Sequence, residues 1–258
     1  MMVPAALGLL LLVAPAAGAQ KPDSLPPIDT DRPDFTDGVH TVPHGHIQFE
    51  SGYTYQQGRG TDAAHSHSLP EALVRFGVTP RVEVRLGENF LVVRPDGPGV
   101  PSVHGFDDTY VATKISATAQ HGGIPATSFE LKINLPTGSD LISAHRTLPG
   151  GALLLGWETG GPWSAGIEAF GTRTADDHVQ AIGSLSVQYQ AASRMQLYGE
   201  GFTVQPVNGG SGARAEHYAN SGVLILLSNS VQVDARIGFG LNHAADRYFA
   251  GFGFAVRH

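Results

Sequence analysis

The chain has no cysteine, no excess of basic residues and, beyond residue 20, no apolar run long enough for a spanning helix. Each absence excludes a class. Without cysteine there is no disulfide scaffold, no thiolate metal site and no lipidated cysteine to anchor a lipoprotein. Charged residues fill only 15% of the 258 positions, and acids outnumber bases, giving a formal net charge of -7. Nucleic-acid partners are normally met by a basic patch, and the sequence offers none. A bilayer-spanning helix needs about 20 consecutive apolar residues, so any residence in a membrane after export must be as a closed barrel of strands.

What the chain does have is alternation. In the stretch from His46 to Tyr55, Ile47, Phe49, Tyr53 and Tyr55 share one phase, and Gln48, Glu50 and Thr54 share the other. Successive strand side chains point to opposite faces, so period two means a sheet with one apolar and one polar side. The pattern recurs about twelve times and predicts strands near 46–56, 67–78, 81–93, 107–118, 126–135, 150–159, 163–172, 179–190, 194–204, 216–227, 231–240 and 248–257. Connections alternate in length. Thr79-Pro80, Gly160-Gly161-Pro162, Ala191-Ala192-Ser193 and Ser228-Asn229-Ser230 are short, with Ala119 to Pro125 somewhat longer. Longer polar stretches lie between them, such as Pro136 to Pro149 and Gln205 to Ala215. An even strand number with tight periplasmic turns and longer outer loops is the habit of bacterial outer-membrane barrels. The expected fold class is therefore all-β: a closed antiparallel transmembrane β-barrel of about 12 strands, with both termini in the periplasm.

Met1 to Gln20 reads as a secretory signal, with Ala5 to Val13 apolar and Ala17-Gly18-Ala19 as a small-residue cleavage site. It lacks the usual Lys or Arg at its start, and Pro4 and Pro15 interrupt it. The expected organisation is a signal peptide over 1–19, a polar periplasmic segment over 20–45, and a barrel over 46–258.

The charges fall out of phase with the apolar residues. Glu83 and Arg85 alternate with Val82, Val84 and Leu86; Glu130 and Lys132 with Phe129, Leu131 and Ile133; Asp234 and Arg236 with Val231, Val233, Ile237 and Phe239. A Lys or Arg facing lipid at mid-depth costs about 2–4 kcal/mol, so the charged face must look inward if a membrane is present. The expected lumen lining is Glu50, Arg75, Glu83, Arg85, Asp108, Lys114, Glu130, Lys132, Glu200, Asp234, Arg236 and Arg257. Glu200 is the weak case, because Phe202 and Val204 share its phase. The two signs nearly balance, which suggests internal ion pairing rather than a ring of one charge. About eight strands give a filled interior and about sixteen an open channel. Twelve lies between, so a narrow or plugged passage is expected. The segment carrying Asp31, Arg32, Asp34 and Phe35 precedes the first strand, and it either folds into the lumen as a plug or hangs as a periplasmic tail. Trp157 and Trp163 bracket a short turn, where an interfacial aromatic girdle would sit.

The run Thr30-Asp31-Arg32-Pro33-Asp34-Phe35-Thr36, followed by Thr41-Val42-Pro43-His44-Gly45 and Gln48-Phe49-Glu50-Ser51-Gly52, resembles the start of one outer-membrane barrel family. That family is labelled by a meta-pathway of phenol degradation and often called simply "transporter". Further similarities are Leu69-Pro70-Glu71 with Arg75, Arg81-Val82-Glu83-Val84-Arg85, Gly105-Phe106-Asp107-Asp108 with Lys114, and Leu135-Pro136-Thr137-Gly138. They continue from Val231-Gln232-Val233-Asp234 to Asp246-Arg247-Tyr248-Phe249, so the resemblance covers the mature chain. It implies a barrel that admits small aromatic compounds. Such barrels commonly end in Phe, which the outer-membrane assembly machinery reads; this chain ends in His258.

Enzyme chemistry finds little footing. Barrel lipases carry a His-x-Ser pair, because residues two apart share a strand face. Here His217 is followed two positions later by Ala219, and Ser221 lies about 13 Å along the strand. His40, His44 and His46, and His65 with His67, read as solvated loop histidines rather than a zinc site, which needs three or four ligands. The expected function is passive passage of small, hydrophobic or aromatic molecules. No cofactor is implied. The partners are outer-membrane lipid, the solute and, during biogenesis, the assembly machinery; nucleic acid is excluded, and a closed sheet favours a monomer. The rivals are a non-conducting envelope scaffold and a ligand-binding barrel.

Overall fold

The computed structural model describes residues 25–59, 64–95, 101–208 and 213–258. The predicted signal peptide lies outside the described residues. Among the latter there is no helix. The thirteen strands are β1 (Ile47–Gln57), β2 (Ala64–Thr79), β3 (Val82–Pro95), β4 (Val103–Phe106), β5 (Tyr110–Thr118), β6 (Ala126–Asn134), β7 (Leu148–Glu158), β8 (Trp163–Arg173), β9 (Val179–Ala192), β10 (Met195–Pro206), β11 (Glu216–Ser228), β12 (Val231–Gly240) and β13 (Tyr248–Arg257).

Every strand pairs antiparallel with its chain neighbour, except that β3 pairs with both β4 and β5. Its outer part, Phe90 to Val93, meets β4, and its inner part, Val82 to Gly87, meets β5. β4 and β5 thus fill one position of a twelve-position barrel. The barrel closes where β1 meets β13, from Gln48 opposite Arg257 to Gln57 opposite Tyr248. Closure removes the sheet edge and satisfies the backbone within the wall, as a bilayer demands.

The predicted fourth strand, 107–118, is the one that changes. It breaks at Asp107 to Thr109 because Asp108 turns to a loop instead of continuing the ladder. Its carboxylate accepts the backbone N–H groups of Gly138 and Ala144, at 3.0 and 2.9 Å. Asp108 therefore clamps the outer loop between β6 and β7, and its place among the lumen-lining residues is corrected accordingly. Burial alone would raise its pKa; the Ser143 hydroxyl and the two backbone donors outweigh that and hold it below the ordinary carboxylate value.

Sidedness follows the alternation. Ile47, Phe49, Val84, Leu86, Phe129, Leu131, Ile237, Phe239, Phe252 and Phe254 are exposed, while Gln48, Glu50, Arg75, Glu83 and Lys114 are at most 1% exposed. A water-soluble protein buries these classes the other way round. An apolar exterior of this extent is stable against acyl chains. Short connections gather at one end of the barrel and long ones at the other. The C-terminus lies at the short-turn end, where His258 exchanges backbone hydrogen bonds with Ile47. Residues 25–45 do not extend away from that end; they enter the barrel. They leave it through a turn in which the His46 N–H donates to the Pro43 carbonyl at 3.0 Å. Gly45 takes φ +78° there, a conformation that suits glycine.

Candidate functional site

Residues 25–45 thread between two walls of the lumen. On one side stand β1 to β6. Their inward positions form rows across the strands: Gln48, Arg75, Arg85, Ala112 and Lys132 in one, Glu83, Lys114 and Glu130 in the next. Arg75 donates to Glu50 at 2.9 Å and to Glu83 at 2.8 Å; Arg85 donates to Glu83 at 2.7 Å and to Glu130 at 2.5 Å. The segment brings the missing negative charge. Asp31 meets Arg75 at 3.3 Å, Lys114 at 3.1 Å and Arg85 in a shorter contact, and Asp37 meets Arg85 at 2.6 Å. Backbone groups complete this side. Lys114 donates to the Gly38 carbonyl at 2.6 Å, and the Val42 N–H donates to Glu83 at 2.6 Å.

The opposite wall, β7 to β11, carries few charges. Glu200 accepts the Phe35 N–H at 3.0 Å and the Thr36 hydroxyl at 2.6 Å, and Glu168 accepts the Asp37 N–H at 2.8 Å. Ser186 donates to Asp34 at 2.9 Å, and the Ser184 hydroxyl lies 2.8 Å from that of Thr36. Val39 packs on Ala152 and Leu154 and lies over Gly156, where an added Cβ would sit 2.8 Å from it. Glycine thus lets the segment approach the wall closely.

At the barrel seam the Arg32 guanidinium lies against paired Gly52 and Gly253, where a Cβ would come within 2.4 Å of it. It donates to Glu71 at 2.6 Å and lies 3.5 Å from Asp234. Arg236 donates to the Pro33 carbonyl and the Thr54 hydroxyl, both at 2.8 Å, and Arg257 donates to the Pro26 carbonyl at 2.6 Å. Lys132 makes a different contact: its ammonium sits 3.8 Å from the centre of the Tyr110 ring.

Toward the long-loop end, Phe35 meets Phe202 in a tilted contact at 4.3 Å and Phe249 edge-on at 5.5 Å. Tyr218 stacks on Phe202 at 4.7 Å, and the Arg236 guanidinium lies 4.9 Å from the Phe35 ring centre. Phe35 keeps 40% of its surface open. On the short-turn side of the segment lies a cavity of about 830 Å³, whose lining includes Gln48, Gln188, Gln190, Gln196, Gln232 and Arg257.

Apart from Asp108, the residues singled out in strands are inward, and Asp31, Arg32, Asp34 and Phe35 lie among them. Glu200 is inward together with Phe202, so the apolar residues in its phase face the lumen as well. The expected lumen lining does not include Glu71 and Glu168, although Glu168 alternates with Ile167 and Ala169 as the others do. Nor does it include Tyr110, Tyr198, Tyr218 and Phe249, because an inward apolar ring carries no alternation signal. Trp157 and Trp163 stand at the short-turn end; Trp157 donates to the Gly123 carbonyl at 3.0 Å, and Trp163 is half exposed with its ring 4.6 Å from that of Tyr189. His65 and His67 are not loop residues: they lie in β2, with the His67 ring 5.3 Å from that of Tyr55 and its Nδ1 2.8 Å from the Tyr53 hydroxyl.

The model of the family described as "Putative MetA-pathway of phenol degradation" matches residues 30–258, and the chain belongs to that family. No curated protein matches it. Among solved structures it is similar to an outer membrane channel from Pseudomonas putida F1, with a TM-score of 0.72 at 10% identity, covering 85% of this chain and 98% of that one. It is also similar to the NanC porin (TM-score 0.54, 9% identity, 81% and 98% covered) and to the KdgM porin in complex with disordered oligogalacturonate (0.51, 8%, 82% and 98%). At these identities the likeness establishes the fold, an outer-membrane-type barrel.

Proposed function

We propose that this family member is an outer-membrane channel for the passive passage of small hydrophobic or aromatic molecules, obstructed at rest by its own residues 25–45. The observation that carries the reading is the insertion of that segment between the two walls, ion-paired to one and packed on the other. A scaffold has no use for a lumen divided in this way. A channel needs a barrier that opens, and a segment that joins β1 through the turn at Gly45 supplies one. The partly open Phe35 ring, backed by Phe202 and Phe249, offers a stacking surface to an aromatic solute arriving from the long-loop side. The short turns and the chain ends are assigned to the periplasm, and the closed sheet supports a monomer.

The test is permeation by the purified protein in planar bilayers and liposomes, with a panel of aromatic solutes and sugars, with and without residues 20–43. Deletion should raise single-channel conductance and solute flux. A barrel that conducts nothing in either form would favour the scaffold reading.

A further inference from the structure

We propose that His65 and His67, supported by Tyr53, form an exchangeable transition-metal site, best suited to Cu²⁺, on the exterior of the barrel wall near the long-loop end. The site lies outside the lumen, so it is independent of the channel reading and of residues 25–45.

β2 carries both histidines two positions apart, so they share one face. Their register partners on β1 are Gln57 and Tyr55, which keep the phase of exposed Ile47 and Phe49. Across the seam, Tyr53 pairs with Phe252, which is 62% exposed. The two imidazoles therefore stand on the outside of the wall. Tyr55 lies eight positions along β1 from Ile47. That is about 26 Å along a strand and about 20 Å up a tilted wall, whose apolar band is about 25 Å tall. His67 thus stands at the upper margin of the band, and His65 two positions further toward the long loops, where water reaches them. Ionisable side chains on a lipid-facing wall are rare, and a pair of them calls for a function.

The geometry suits a shared ion. The two ring centres are 5.8 Å apart. A coordinating imidazole nitrogen sits about 2.1 Å from its metal, with the ring centre about 1.2 Å behind it. Two rings on one ion then have centres about 4.6 Å apart at a right angle and about 5.3 Å apart at the tetrahedral angle. The χ2 torsion of histidine is broad, so drawing the rings together by about 1 Å costs little. An orienting partner is already in place, because the Tyr53 hydroxyl lies 2.8 Å from His67 Nδ1. With Nδ1–H donated to the phenol oxygen, Nε2 carries the lone pair that a metal takes. The Tyr55 ring flanks the pair, at 6.1 Å from His65 and 5.3 Å from His67. No group of three histidines or carboxylates occurs among the described residues, so water completes the coordination. Two imidazoles fall short of a structural zinc site. They suit Cu²⁺, which stands highest in the divalent series and accepts imidazole in a tetragonal shell.

The experiment is a Cu²⁺ titration of the purified, untagged barrel in detergent. At one equivalent, the electron paramagnetic resonance spectrum should carry the splitting of two imidazole nitrogens. His65→Gln and His67→Gln should each lower the affinity about tenfold or more, because each removes a ligand. Tyr53→Phe should weaken binding about tenfold while the two-nitrogen pattern persists. Cu²⁺ should also shield His65 and His67 from diethyl pyrocarbonate, mapped by mass spectrometry, while His121 at the short-turn end stays reactive. That arm uses the unsubstituted chain, so it decides the matter even where a variant fails to fold. Unchanged binding of the first equivalent in both histidine variants would overturn the site. So would equal reactivity of His65 and His67 with and without Cu²⁺, or shielding of His40, His44 and His46 in their place.

Discussion

The wall formed by β1 to β6 meets the N-terminal segment with charge, whereas the wall formed by β7 to β11 meets it with carboxylates that accept backbone N–H groups, hydroxyls, glycines and rings. On the first wall, Asp31 is shared by Arg75, Arg85 and Lys114. On the second, Val39 sits on Ala152 and Leu154, and Phe35 on Phe202. The difference separates two jobs. Buried ion pairs are directional and costly to leave half-broken, so they fix where the segment lies. Apolar and small residues impose little direction, so they allow close approach.

Removing the shared anion should have the largest effect. Asp31→Ala leaves three buried cations short of a partner and should weaken docking of the segment by about 3–5 kcal/mol. The measurement is protease cleavage within residues 25–45 of the folded barrel, together with conductance; both should rise. If the charged wall were decorative, neither would change. On the other wall, Phe35→Ala deletes a partly exposed ring and its aromatic contacts, and should cost about 1–2 kcal/mol. Its cleavage rate should fall between those of the unsubstituted chain and Asp31→Ala. An effect as large as that of Asp31→Ala would erase the contrast between the walls.

The smallest effect belongs to the rim. His40 lies 2.9 Å from Asp29, and both are exposed at the short-turn mouth. The hydrogen bond it donates to Asp29 raises the imidazole pKa above 6.5, against the effect of partial burial. The pair joins two residues of the segment itself, so its contribution to the segment's docked shape is fully present below pH 6.5 and is lost as pH rises through the raised value. Solvent screening limits it to a few tenths of a kcal/mol. Cleavage of the segment should rise slightly over that range in the unsubstituted chain and stay flat in His40→Gln.

The same contrast explains what was legible in the sequence. Glu83 and Arg85 alternate with Val82, Val84 and Leu86, so the charged wall announces itself through period two. Leu154, Phe202, Tyr218 and Phe249 point inward although apolar, because Phe35 and Val39 of a distant segment cover them or their neighbours. Nothing local in the strands encodes that cover. Asp108 failed for the opposite reason: it has the charge expected of a lumen residue, but hydrogen bonds from a loop 30 residues away take it out of the ladder. The placement of Asp31 among three cations depends on the pairing of β2, β3 and β5 and on insertion of the segment beside them, which no single stretch of sequence reports.

The absence of native cysteine makes the central claim directly testable. Thr36 and Ser184 face each other across the boundary between segment and wall, with their hydroxyls 2.8 Å apart. In a Thr36→Cys, Ser184→Cys double variant, mild oxidation should form an intrachain disulfide in the folded barrel and hold solute flux at its resting level, and reduction should restore opening. A pair that stays reduced under oxidant, or a cross-linked barrel with the flux of the form lacking 20–43, would contradict the account.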